Sequence, residues 1–124
     1  MTEGDIQRLI MIRLTRFGRI FRNNVGMAYS KKGRPVRFGL CKGSSDLIGW
    51  TEVNGVAVFT AVEVKRPKGK PTPEQLKFIE VVRNAGGIAG IARSEDEAEQ
   101  IVTEQAKEIK RKLNNPTERK TKME

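Results

Sequence analysis

The dipeptide Asn54-Gly55 constrains this chain most. It divides "LIGWTEV" from "VAVFTAVEVK". Asn-Gly between two apolar runs is the strongest short-range hairpin signal, because both residues tolerate positive φ. The pattern predicts paired strands near Leu47 to Thr51 and Val56 to Lys65. The second run is apolar on both faces, as a central strand is, yet it ends in Glu63, Val64 and Lys65. Residues two apart in a strand share a face. A carboxylate and an ammonium therefore finish a strand that is otherwise buried. That is costly unless the edge is open there and the pair binds something. The plain alternative is a solvated strand end.

The remaining segments supply the partners. "TEGDIQRLIMIRLTRFG" carries Ile6, Leu9, Ile10, Leu14 and Phe17 at helical spacing, with Thr2 as N-cap and Gly18 as stop. Glu3 continues a face of this helix that turns inward. "RIFRNNVG" reads as a short strand. "MAYSKKGRPVRFGLCKGSSD" reads as a loop or hairpin, with a short strand near Val36 to Leu40. After the central hairpin comes a basic loop, "PKGKPTPEQ". A helix then opens with Thr72 as N-cap, Pro73 in first position and Gln75 closing a capping box. Its predicted apolar face is Leu76, Phe78, Ile79, Val82 and Ala85, and Gly86-Gly87 ends it. "GIAGIAR" is a short buried strand. Ser94 and Glu97 suggest a second capping box, starting a helix that runs through Leu113. The order α-β-β-β-α-β-α predicts an α/β fold, a mixed central sheet flanked by helices. We expect one domain over residues 1–113 and a polar, disordered tail over 114–124.

Composition limits the chemistry. The 124 residues include 24 Lys plus Arg against 15 Asp plus Glu, a net charge of +9, which is the footprint of a nucleic-acid binder. There is no histidine and only Cys41 as cysteine. Histidine general bases, Ser-His triads and zinc centres built on histidine or paired cysteines are excluded. A metal here would be held by oxygen, which points to Mg²⁺ or Mn²⁺. No apolar run reaches the roughly 20 residues of a membrane span. The acidic start without an apolar signal region fits a chain that is not secreted, and the lone cysteine fits a reducing compartment.

Asp46 precedes the first strand of the central hairpin, and counting back from the turn brings it near Glu63, given a bulge or modest stagger. Two carboxylates that close repel each other unless a divalent cation lies between them. Asp46, Glu63 and the Val64 carbonyl could hold such an ion, with Glu3 as a third carboxylate. Lys65 could orient a water or neutralise charge growing on a phosphate. Gln75, already explained by its capping box, could also contact the phosphate or the activated water. Lys31, Lys32, Arg34, Arg37 and Lys42 in one basic stretch, and Lys68 and Lys70 in another, flank this set and could grip a phosphate backbone, with Asn24 beside them.

These residues carry a resemblance. "GSSD" followed by "VEVK" resembles the PD-(D/E)XK nuclease superfamily. The ordered set "EGDIQ", "RNNVG", Gly43 to Asp46, Glu63 to Lys65, Thr72 to Gln75 and "GGIAGIAR" resembles its VRR-NUC branch, over residues 3 to about 92. No proline precedes Asp46, unlike the superfamily's name; glycine and serine commonly stand there in this branch. The resemblance implies a restriction-endonuclease-like core and a Mg²⁺- or Mn²⁺-dependent DNA endonuclease. Asp46, Glu63, Val64 and Glu3 would lie at the metal; Asp46, Glu63, Lys65, Gln75 and Glu3 would make up the catalytic set. Stand-alone viral or phage members resemble Holliday-junction resolving enzymes. The implied substrate is therefore branched DNA, the implied assembly a homodimer, and the implied place the cytoplasm of a bacterial or phage-infected cell. The competing reading is a non-catalytic module that binds DNA ends or junctions on the same fold. A sequence-specific restriction-type enzyme is a third, for which the chain shows no recognition insert.

Overall fold

The central hairpin forms as its turn dictates. In the computed structural model, which describes residues 1–115, Asn54 and Gly55 have φ of 50° and 78°. They join β4 (Leu47–Val53) to β5 (Val56–Val64). The other elements, in chain order, are α1 (Glu3–Leu14), β1 (Gly18–Arg22), β2 (Gly26–Tyr29), β3 (Pro35–Phe38), α2 (Pro73–Asn84), β6 (Ile88–Ala92) and α3 (Glu95–Leu113). The expected tail lies outside the described residues from 116 on. Among the described residues no helix is long and apolar enough to cross a membrane.

The main sheet has the order β1-β4-β5-β6. β1 and β4 pair antiparallel, as do β4 and β5, while β6 joins β5 in parallel. This is the predicted mixed sheet with helices on it. Strand alternation then assigns the two faces. Val58, Val62 and Val64 of β5 pack with α1 and α3, through Ile6, Ile10, Leu14, Ala98 and Val102. Ala61 packs with α2, through Ile79 and Val82. β6 is an edge strand, and unpaired edge groups invite aggregation. Gln105 of α3 covers this edge: its amide accepts from the Ala89 N–H and donates to the Ala89 carbonyl, both at 2.9 Å.

Several expectations need correction. Five strands precede α2, because "GMAY" and "PVRF" pair with each other, in register from Gly26↔Phe38 to Tyr29↔Pro35, as a ribbon apart from the main sheet. The predicted short strand ends at Phe38, since Gly39 turns left-handed with φ of 84°. α1 stops at Leu14, and Gly18 starts β1, where a Cβ would run into the backbone of Trp50. The Thr2 cap also has an unforeseen reciprocal partner, Asp5. On α2 only Ile79 and Val82 are buried, while Leu76 and Ala85 face solvent. The Ser94 hydroxyl accepts from the Glu97 N–H as predicted, but the Glu97 carboxylate reaches the Arg93 N–H instead of closing the box.

Candidate active site

The register extends past the ends of the hairpin. Leu47 stands opposite Val62, so Asp46 stands opposite Glu63 with no bulge or stagger needed. Opposite residues project to the same face, here the one covered by α2. The ladder loses its last bond at this point, and a side chain replaces it. The Val64 N–H donates to Asp46 Oδ2 at 2.9 Å. A strand residue directs its N–H and C=O to the same side, so the Val64 carbonyl also faces Asp46. The Lys65 N–H turns the other way, to the Ala92 carbonyl at 3.1 Å.

Glu63 is the unusual group. Its side chain is only 1% exposed, and neither carboxylate oxygen meets a donor among the described residues. A buried charge without partners is strongly disfavoured. Glu63 is accordingly pushed up to about 8, first by burial and then by the neighbouring Asp46 carboxylate; the Lys65 ammonium pulls it partly back. As a neutral acid, Glu63 carries no buried charge. As an anion it needs a cation. Two facing carboxylates and a strand-end carbonyl form an oxygen donor set that suits a hard divalent ion. The orphaned Glu63 oxygens are what such an ion would satisfy.

The loop carrying Asp46 is held from two sides. Asn23, just past β1, donates its N–H to the Asp46 carbonyl at 2.8 Å. Its Nδ2 donates to Ser44 Oγ at 2.8 Å and to the Ser45 carbonyl at 2.9 Å. On the other side Gly43, with φ of 85°, lies against the first turn of α2: a Cβ there would meet Glu74 at 2.7 Å. Glycine is needed both for the left-handed backbone and for the close approach. Gln75 sits in the same turn. Its Oε1 accepts from the Thr72 N–H at 2.9 Å, which leaves the Nε2 end of the amide as a donor.

Glu3 is not brought to this pair. It lies at the start of α1, which packs on the opposite face, and lines a cavity with Arg66, Pro67, Lys68 and Gly69. No three acidic or thiol groups among the described residues cluster closely enough to hold an ion. Lys31, Lys32, Arg34 and Arg37 are exposed on the β2–β3 ribbon, and Asn24 is exposed at its root. Lys42 shares a cavity with Glu74 and Lys77 of α2. Lys68 and Lys70 are exposed in the loop after β5, which Arg93 pins by donating to the Gly69 carbonyl at 3.0 Å. Sequence reasoning did not identify Asn23 as the clamp of the Asp46 loop, nor Lys77 and Arg93. Asn23 lies within the "RNNVG" pattern, but its three bonds depend on the β1–β4 pairing.

Asn23→Ala removes two side-chain bonds from that loop while leaving its backbone bond. We expect a stability loss of about 1–2 kcal/mol. If Asp46 holds a divalent ion, the Mg²⁺ concentration giving half-maximal activity should also rise roughly tenfold or more, as when a group supporting a metal ligand is lost. A metal titration of activity, beside chemical denaturation, checks both; an unchanged metal midpoint would show that Asn23 does not position Asp46.

Fold and site together define an α/β domain with an acidic pair and a lysine at one open end of a mixed sheet. A family model for the VRR-NUC domain matches residues 1–96. The chain belongs to that family, a family of nuclease domains. No curated protein and no solved structure matches the chain.

Proposed function

We propose that this protein is a divalent-metal-dependent, structure-selective DNA endonuclease acting on branched DNA such as Holliday junctions. The observation that carries the catalytic reading is Glu63, buried opposite Asp46 with both oxygens unpartnered among the described residues. An apolar residue would serve a purely structural role there far better. Membership of a nuclease domain family and the basic surface support the choice of substrate.

Asp46, Glu63 and the Val64 carbonyl would hold Mg²⁺ or Mn²⁺. The bound ion supplies Lewis acidity at the phosphoryl oxygen and a nucleophile at neutral pH. Lys65, half-buried on the Glu63 face, presents its ammonium to the charge that grows on the phosphate. The Gln75 amide donates to a phosphate oxygen or to the attacking water. Glu3 stands outside the pair and would act as an outer carboxylate from α1, at the cavity it shares with Arg66 and Lys68. The exposed lysines and arginines hold the backbone of the DNA and set its position. A homodimer would bring two sites to a junction. The uncovered part of the α2 face, where Phe21, Trp50 and Phe59 are exposed, suits a second copy.

The test is cleavage of labelled four-way junction, flap and linear duplex with Mg²⁺, with Mn²⁺ and with EDTA, beside Lys65→Ala. Metal-dependent cutting that favours the junction and falls at least a hundredfold in the variant is the expected result. No cutting of any substrate, with tight binding indifferent to metal, would overturn the enzyme and leave a DNA-binding module.

A further inference from the structure

We infer that the β2–β3 ribbon is a DNA-grasping arm that lies in the major groove of the duplex flanking the cut. The inference deepens the reading above and rests on DNA being the partner.

The ribbon is built unlike the rest of the protein. Every residue of β3 is exposed, and β2 is exposed except at Gly26. None of their side chains enters either core cluster. A lone two-stranded hairpin is marginal in water, so its shape must be held locally or by a partner. At the tip it is held locally: Ser30 bonds Arg34 backbone-to-backbone at 2.8 Å, accepts from the Gly33 N–H at 2.8 Å, and caps the Arg34 N–H with its hydroxyl at 3.1 Å. This rigid turn presents Lys31, Lys32 and Arg34, with Arg37 behind them. From Gly26 to Ser45 the chain has no acidic residue. A preformed turn that offers only positive charge matches a polyanion, and its backbone needs no further ordering on binding.

Size selects the groove. Two strands lie about 4.8 Å apart, and their side chains widen the ribbon well past the roughly 6 Å of the minor groove. The major groove, about 12 Å wide, admits a two-stranded ribbon. Position selects which duplex. One root of the ribbon follows Asn23, which clamps the Asp46 loop; the other runs through Gly39 to Lys42 into that same loop. DNA held by the arm therefore adjoins the acidic pair.

The test uses the full chain and a fluorescent linear duplex in EDTA, with anisotropy read across a salt series. The triple variant Lys31→Ala/Lys32→Ala/Arg34→Ala should keep its melting temperature, since all three side chains are exposed. It should bind at least tenfold more weakly, and its log–log salt slope should shrink by about two to three, near 0.9 per lost phosphate contact. Methyl green, which occupies the major groove, should displace the native protein, and netropsin, which occupies the minor groove, should not. An unchanged affinity and salt slope in the variant would overturn the inference, as would displacement by netropsin alone. Binding is read without metal, so arm-dependent binding by a protein that never cuts would sink the nuclease reading and leave this inference standing. A nuclease indifferent to the triple substitution would do the reverse.

Discussion

Glu63→Gln should reduce cleavage by about a thousandfold or more and at the same time stabilise the metal-free fold. The two effects share one cause. The carboxylate is buried opposite Asp46 and no donor among the described residues reaches it, so the metal-free fold bears the cost of any negative charge placed there. Glutamine has nearly the same shape, carries no charge, and can donate its amide to Asp46. Raising the carboxyl from 4.5 to about 8 corresponds to a cost on the order of a few kcal/mol at pH 8 or above, at ~1.4 kcal/mol per unit. Glutamine removes most of it. Under the proposed function it would also remove an anionic metal ligand, and losing Lewis-acid assistance worth about 4 kcal/mol slows a reaction roughly a thousandfold. Denaturation in EDTA at pH 8 and single-turnover cleavage in Mg²⁺ measure the two sides. A variant that is less stable than the native protein in EDTA would refute the strained carboxylate, and one that still cuts would remove Glu63 from the catalytic set.

The second large effect is a pH dependence of stability that metal abolishes. A carboxyl raised in the folded state favours folding most below its unfolded value of 4.5. Between 4.5 and about 8 the unfolded chain has released this proton while the folded chain keeps it. Stability therefore falls as pH rises through that window and levels off above it. Asp5 and Glu108 are shifted the other way, lowered chiefly by hydrogen bonds from Thr2 and Arg111 respectively. Their stabilisation is lost only as pH falls through their depressed values, so it does not mask the Glu63 window. Under the proposed function Mg²⁺ or Mn²⁺ would bind the charged pair, so it should raise the melting temperature most at pH 8 and above and flatten the profile. Its uptake at pH 7 should release close to one proton. Melting curves from pH 5 to 9 with EDTA and with Mn²⁺, and calorimetry in two buffers of different ionisation enthalpy, measure this. A flat profile in EDTA would rule out the raised carboxyl.

Local chemistry made much of this protein legible from residues alone. Asn54-Gly55 required its turn whatever surrounds it, because few residues accept two successive positive φ angles. Thr72, Pro73 and Gln75 specify a helix start through bonds that close within four residues. Glu63 and Lys65 had to share a face because strand alternation has a period of two. Where a segment lacked that local signature, sequence reading fell short. The β2–β3 ribbon is exposed on both faces, so it shows no apolar alternation to mark its strands. The α2 face was read too broadly, because helical spacing identifies apolar residues but not how much sheet lies beneath them.

By itself, then, the sequence determined the hairpin, the helix starts and the placing of Glu63 and Lys65 on one strand face. Each follows from side-chain chemistry or from bonds between near neighbours. Only the tertiary structure decided that Asp46 stands directly opposite Glu63 and that, among the described residues, no donor reaches the buried carboxylate. It alone made Asn23 the clamp of the Asp46 loop and set Glu3 beside Arg66 to Gly69, apart from the Asp46–Glu63 pair. Those facts depend on strand register and on which helix covers which face, and they arise from packing between segments distant in the chain.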